Sequence, residues 1–334
     1  MQRPLTLSIV TPSYQQAAFL PDCLRSVAEQ GYTPVEHIVM DGGSTDGSAE
    51  IIAAHAEHLA HWQSAKDKGQ SDAINQGLAR ATGDVFNWLN SDDELVPDAL
   101  DRVAAAFSAD PQLLIYGGQL VFHGNGKERL GDRLNGTDEF QLFVEPVINQ
   151  PATFLRMEAL RTIGGVETRL RYVMDLELWW QLLFRFGTAR LHFEPVPLAR
   201  FRFHQDSKTV AESQGFLDET ASLLHALCTT TGNHDLATVL AEGHTITTGL
   251  RHIPATSAHQ AIVRAMAVHF LLKWNGTIHR REQFRMMRAF RQVPLAGVHV
   301  LPGMEARLPA LDRQLAGGSW TLFRLRRKWQ HLRA

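Results

Sequence analysis

The sequence predicts an α/β domain built on a mostly parallel sheet, followed by a smaller helical region. Three observations carry that reading. Apolar runs alternate with helical periodicity through roughly the first 120 residues, the helical stretches are punctuated by glycine and proline, and beyond about residue 210 only helical spacing remains.

The first apolar run, Leu7 to Val10, reads as a strand closed by Pro12; it is too short for a signal h-region and has no small-residue cleavage site. A helix is expected over Ala18 to Gln30, stopped by Gly31, then a second strand over His37 to Met40. Helices over Ser48 to His61 and over Ser71 to Ala81, the latter ending before Gly83, precede a third strand over Val85 to Leu89. Asp98 to Phe107, with Pro97 at the helix start, and a strand over Leu113 to Tyr116 complete the order β-α-β-α-α-β-α-β. Gly117 to Gly136 is glycine-rich and reads as an edge hairpin or a mobile loop. Extended pieces at Ala152 to Leu155 and Leu191 to Phe193 flank a helix at about Asp175 to Phe186, and a last strand covers Leu198 to Phe203.

This places a first domain over residues 1–210 and a helical appendage over 211–334, where Leu217, Leu223, Leu224 and Leu227, then Ile262, Met266 and Phe270, recur on helix faces. The longest apolar stretch, Ala261 to Trp274, carries Arg264, His269 and Lys273, so no bilayer span of ~18–20 residues is expected. A tail from Ser319 to Ala334 mixes Arg324, Arg326, Arg327, Lys328 and Arg333 with Trp320, Phe323 and Trp329. It reads either as an amphipathic helix meeting a membrane surface peripherally or as a packing or oligomer helix. A formal net charge of −2 argues against a dedicated nucleic-acid binder. Cys23 and Cys228 are too few and too far apart for a disulfide framework or zinc site, which suits a reducing cytoplasm.

Ligands of open α/β sheets bind beyond the carboxyl ends of the strands. Here those positions hold Thr11-Pro12-Ser13-Tyr14, Asp41-Gly42-Gly43-Ser44-Thr45-Asp46-Gly47 and Asn90-Ser91-Asp92-Asp93. Adjacent carboxylates resist joint ionisation without a cation, so Asp92 and Asp93 suit a hard divalent metal. The competing reading, helix capping, is weakened because Pro97 marks the helix start too far downstream. The Asp41 loop could face an anion at a helix N-terminus, or could simply be a tight turn with a capping hydroxyl. Its glycines do not follow G-x-G-x-x-G, nor its acids an EF-hand. Asp175 and Glu177 stand two apart on a helix, so at most one faces a given site, as a general base or merely as a helix-start acid. His204 alone reads as structural or solvated.

Together the segments Ser8 to Tyr14, Asp41 to Gly47, Lys66-Asp67-Lys68-Gly69-Gln70-Ser71-Asp72-Ala73-Ile74-Asn75-Gln76-Gly77 and Asn87 to Asp93 resemble, in order and spacing, family 2 glycosyltransferases of the GT-A fold. The match continues through Gln150 to Phe154, Gly164-Gly165, Met174 to Trp179 and His204 to Lys208. The resemblance implies an α/β GT-A domain with a nucleotide-diphosphate-sugar donor. Thr11, Pro12, Ser13, Tyr14, Asp41 and Gly43 would line the nucleotide pocket and favour uracil or thymine, with Lys66 and Asp72 near the diphosphate and nucleoside. Asn90-Ser91-Asp92 aligns with the family's D-x-D. It makes Asp92 the metal ligand for Mn²⁺ or Mg²⁺, with Asn90, Ser91 and Asp93 around the donor; Asn90 departs from the usual aspartate. Asp175 matches the family's catalytic base, Glu177 is held in reserve, and His204 matches a segment that approaches the metal or diphosphate.

The implied reaction inverts the anomeric centre as a hydroxyl of a glycan or lipid-linked acceptor displaces the nucleoside diphosphate, in bacterial surface-glycan or polysaccharide assembly. Two rivals remain: a degenerate relative that only binds nucleotide or glycan, and a nucleotidyltransferase. The latter lacks its lysine- and arginine-rich triphosphate loop before the first helix.

Overall fold

The computed structural model describes residues 3–124, 126–136, 138–203, 213–274, 280–316 and 318–324. The chain divides into two compact units, Met1–Asp138 with Pro146–Ala211, and Glu139–Glu145 with Glu212–Ala334.

The first unit is an α/β sheet of order β3-β2-β1-β4-β8-β6-β9-β5, with β7 paired to β6. Its central strand β1 (Leu7–Ser13) is buried along all seven residues, as a strand covered on both faces requires. It runs parallel to β2 (Val35–Asp41) on one side and to β4 (Val85–Trp88) on the other. β3 (His61–Ser64) extends the parallel half beyond β2. The other half is mixed. β8 (Thr153–Arg156) runs antiparallel to both β4 and β6 (Ile115–Gly124), while β9 (Leu191–Arg202) runs parallel to β6 and antiparallel to β5 (Glu94–Leu95).

Several elements differ from the sequence reading for identifiable reasons. β1 continues through Pro12, which pairs in register with Met40. β4 pairs with β1 only as far as Val10, so Pro12 lies where one side of the strand has become an edge, a position that tolerates a missing N–H. The expected helix over Ser48 to His61 ends as α2 (Ser48–Ala54) and is followed by a 3₁₀ turn and β3. β9 is one strand despite Pro195 and Pro197, because its register against β6 shifts around Gly117 and Gln119 and so accommodates them. Gly117 and Gly118 are required there: a Cβ would fall 2.7 Å from the Phe193 ring and 2.6 Å from Leu198 Cγ. Of the two readings of Gly117 to Gly136, the hairpin holds, β6 returning as β7 (Lys127–Leu130).

Helices α1 (Leu20–Ala28), α3 (Gln70–Arg80), α4 (Ala99–Ala109) and α6 (Met157–Ile163) bury their apolar faces in this unit. Gly77 of α3 lies against β1, where a Cβ would stand 2.4 Å from Val10 Cγ1. That close approach seats the first turn of α3 beside the strand ends.

The second unit takes in the short helix α5 (Glu139–Val144) and helices at Ser213–Thr231, His234–Gly243, Gln260–Trp274, Arg281–Phe290 and Arg307–Leu315. Leu223, Leu224, Leu227, Leu240, Met266, Phe270 and Met287 are buried within it. Trp320 and Phe323, at the start of the basic tail, stack on each other and meet Phe284 with tilted rings; residues 325–334 lie outside those described. Among the described residues no helix is long and apolar enough to cross a membrane.

Candidate active site

Register sets the site. Ser13 pairs with Asp41, Asp41 with Ser64, and Val10 with Trp88, so the loops leaving β1, β2, β3 and β4 emerge along one edge of the sheet. Asp41 sits 1% exposed at the centre. Its Oδ2 accepts from Gly43 N–H (3.1 Å), Ser44 N–H (2.8 Å) and Ser64 Oγ (2.6 Å), and its Oδ1 from Ser44 Oγ (2.5 Å). The carboxylate therefore shapes its own loop first, and keeps spare acceptor capacity chiefly on Oδ1. Gly43 has φ +81°, and a Cβ there would press within 3.1 Å of the Lys66 backbone nitrogen; the glycine brings exposed Lys66 against the loop. A Cβ on Gly42 would meet Asp67 at 3.1 Å and the Tyr14 ring at 3.2 Å. Tyr14 itself is 63% exposed.

Residues 15–17 are tied to residues 44–48. Gln15 N–H donates to Ser44 Oγ, Thr45 N–H to the Gln15 side chain, Gln16 N–H to Ser48 Oγ and Ala17 N–H to Asp46. Gln15 has φ +55°, an uncommon conformation for a non-glycine residue that these bonds sustain. Ser13 is buried, and its Oγ has no hydrogen-bond partner among the described residues. Thr11 is fully buried and its hydroxyl bonds His37 Nε2 at 2.9 Å, beneath the loops rather than among them.

Burial pushes the His37 imidazole down to about 3. Since the folded value is depressed and an unfolded histidine titrates near 6.5, the unfolded chain binds the extra proton first as pH falls. Stability is full above the unfolded value and declines below it, by about 2 kcal/mol at about pH 5 from this group. Chemical denaturation at the two ends of that window should show wild type losing that much more than His37→Gln; parallel losses would remove His37 as the cause.

The acidic turn after β4 divides its labour. Asp93 is 1% exposed, and its Oδ1 accepts the Arg202 N–H at 3.4 Å. Burial, reinforced by the neighbouring Asp92, holds its carboxyl well above the usual range. Asp92 is half-buried. Asn90 bridges outward: its Oδ1 accepts from Gln70 Nε2 (2.7 Å) and its Nδ2 donates to Asp93 (3.4 Å). An amide can do both, whereas an ionised aspartate could only accept. Ser91 is buried within the turn. Asp72, in the first turn of α3, accepts from Lys68 N–H (3.1 Å) and Gln76 Nε2 (2.9 Å).

Among the described residues no group of three His, Cys, Asp or Glu side chains gathers to enclose a metal. A magnesium-like ion held against a diphosphate needs only one or two protein carboxylates, the rest of its shell coming from phosphate and water. The single carboxylate of Asp92 fits that mode. His204 lies outside the described residues.

On the mixed side of the sheet, Asp175 stands in the first turn of α7 (Met174–Phe186) and borders a pocket with Trp88, Gln150, Thr153, Leu178 and Trp179. Asn87 of β4 fixes the Gln150-to-Thr153 wall by donating to Thr153 O (2.8 Å) and Pro151 O (3.3 Å), and Gln150 in turn donates to Trp88 O. Trp179 packs against Phe193 of β9 at 5.9 Å between ring centroids. Glu177 is fully buried and accepts from Gln181 at 2.8 Å, so it does not line the pocket of Asp175. Trp88, Thr153, Gln70 and Arg202 were not assigned from sequence. Trp88 closes an apolar strand and reads there as core, and the others act through contacts distant in sequence.

Residues 8–165 match the family model described as Glycosyl transferase family 2. The chain is 36% identical over 177 residues to a PGL/p-HBAD biosynthesis glycosyltransferase of Mycobacterium tuberculosis, a match covering 50% of this chain and 66% of that one. It is 33% identical over 180 residues to an uncharacterized glycosyltransferase of the same organism, covering 52% and 66%. The chain thus spans just under two thirds of the length of these relatives. Among solved structures, S. aureus TarS 1-349 in complex with UDP-GlcNAc superposes with a TM-score of 0.63 at 15% identity, covering 93% of this chain and 90% of that one. The mannosyltransferase PcManGT from Pyrobaculum calidifontis, in complex with GDP-Man and Mn²⁺, gives 0.53 at 17% identity, covering 93% and 87%. These likenesses establish the fold as GT-A.

Proposed function

Because residues 8–165 belong to glycosyl transferase family 2, we propose that the chain transfers a sugar from a nucleoside-diphosphate donor, UDP- or dTDP-linked by preference, to an acceptor hydroxyl with inversion. One observation carries the reading: β4 serves both halves of such a site. Trp88 walls the pocket of Asp175, and four residues later Asp92 stands in the acidic turn.

In this reading the nucleoside lies against Tyr14 and Gly43, with Ser13 and Asp41 as polar contacts, and Lys66 and Asp72 lie near the diphosphate and the nucleoside. Asp92 would hold the divalent ion, Mn²⁺ or Mg²⁺, which supplies charge neutralisation for the departing diphosphate. Asp175 accepts the acceptor's hydroxyl proton as that oxygen attacks the anomeric carbon. The bond from that carbon to the diphosphate oxygen breaks with its electron pair on the leaving group, and attack from the opposite face inverts the configuration. The pocket of Trp88, Leu178 and Trp179 keeps water from the attacking oxygen. The acceptor is a glycan or a lipid-linked glycan of a bacterial surface polysaccharide. The work would be done in the cytoplasm, at the inner face of a membrane if the basic tail engages it.

A thermal-shift panel of UDP, dTDP and GDP and their sugar conjugates, each with and without Mn²⁺, tests the donor class. Selective binding to the folded state raises the melting temperature, by an amount set by ligand concentration over Kd. Stabilisation by uridine or thymidine diphosphates that deepens with Mn²⁺ supports the reading. Release of pyrophosphate rather than nucleoside diphosphate in turnover assays would replace it with nucleotidyl transfer.

A further inference from the structure

Arg202, the last residue of β9, is the point at which four parts of the first unit meet. Its Nη2 donates to Asp22 Oδ2 of α1 at 3.0 Å and to Glu94 Oε1 of β5 at 2.8 Å. Its Nε reaches the main-chain carbonyl of Asp92 at 3.3 Å, and its own N–H reaches Asp93 Oδ1 at 3.4 Å. The guanidinium also lies over the Phe19 ring, 5.2 Å from its centroid. The side chain is 20% exposed, and Glu94 is 19% exposed.

The distances rank these contacts. The two charged contacts are short and in a partly desolvated setting, so they decide where the guanidinium sits. The two contacts to the acidic turn are longer and neutral on the main-chain side, so they transmit that position rather than create it. The planar fork matters because one rigid group must address three directions at once, which an ammonium cannot do. Arg202 thus holds the main chain of Asp92, a half-buried residue in the turn that follows β4.

We propose that Arg202 is a positioning residue: it holds the Asp92 turn in the pose from which the Asp92 carboxylate meets a divalent cation. The proposal rests on the donor reading above. Groups that orient a metal ligand from behind change metal affinity by about 10- to 100-fold when altered, whereas a mere structural anchor changes melting temperature alone.

The test is Mn²⁺ titration followed by electron paramagnetic resonance, with UDP present, on the full chain as wild type, Arg202→Lys and Arg202→Met, beside thermal melts. Arg202→Lys keeps a charge for Asp22 and Glu94 and so retains most of the melting temperature, yet its Mn²⁺ affinity should fall about 10- to 100-fold. Arg202→Met should lose both. Wild-type affinity and line shape in Arg202→Lys would overturn the proposal and leave Arg202 an anchor. Should that variant fail to fold, Asp22→Asn poses the same question from the far end of the ion pair: several-fold weaker Mn²⁺ binding supports the proposal, and unchanged binding overturns it. A wild-type protein that binds no Mn²⁺ with UDP would instead sink the donor reading, an outcome distinct from either variant result.

Discussion

Asp175→Asn should lower turnover by about 10²- to 10⁴-fold, the usual contribution of a positioned general base, while thermal shifts by nucleoside diphosphate stay unchanged. The substitution is nearly isosteric and sits in the first turn of α7, where a half-buried side chain borders the pocket without being part of the core. An amide there can still accept hydrogen bonds, but it cannot take a proton from a hydroxyl. Glu177 offers no replacement, since it is fully buried and engaged by Gln181. Steady-state rates over a pH series would show it: the limb that reports ionisation of the base in wild type should be missing from the variant. Unchanged turnover would remove Asp175 from the role.

Asp92→Asn should abolish the Mn²⁺-dependent part of donor stabilisation and reduce turnover by about 10²- to 10³-fold, in line with the several kcal/mol a bound cation supplies to a departing anion. The contrast with Asp93→Asn is the sharper test. Asp93 is 1% exposed, with its carboxyl held above the usual range by burial and by Asp92, and it accepts from the Arg202 N–H and from Asn90; an amide at that position keeps an acceptor oxygen for these contacts. Its Mn²⁺ response should remain near wild type. Calorimetric titration of both variants with UDP and Mn²⁺ would decide between them. Equal losses would mean that the pair acts as one site and that half-buried Asp92 and buried Asp93 do not differ in role.

Much of this architecture was legible because strand-end loops announce themselves chemically. Asp41-Gly42-Gly43 and Asn90-Ser91-Asp92-Asp93 follow apolar runs, and small, acidic and glycine residues at such places form tight turns. Orientation within a buried strand was not legible. β1 is covered on both faces, so its residues show no alternation, and nothing local distinguishes Thr11, which turns down to His37, from Ser13, whose hydroxyl is unpartnered among the described residues. β3 was hidden because its four residues, three half-buried and Ser64 exposed, carry neither a strong period nor a turn signal. β9 was hidden because Pro195 and Pro197 read as breaks unless the register shift in β6 is known. The tie of Gln150 to Trp88 in the pocket of Asp175 spans 62 positions, and the clamp of Arg202 on Asp22 spans 180. Local pattern carries no information over such spans.

The cross-ties between residues 15–17 and 44–48 bear on how a ligand would be received. Because Ser44, Thr45, Asp46 and Ser48 already restrain the neighbouring turn through side-chain hydrogen bonds, little main-chain freedom is left to surrender when a nucleotide arrives. The ordering cost that weakens association in floppy sites falls instead on the visitor's own rotatable bonds. On the proposed donor reading, recognition at this rim would be closer to a fixed mould than to a folding event, with discrimination between bases coming from shape already in place.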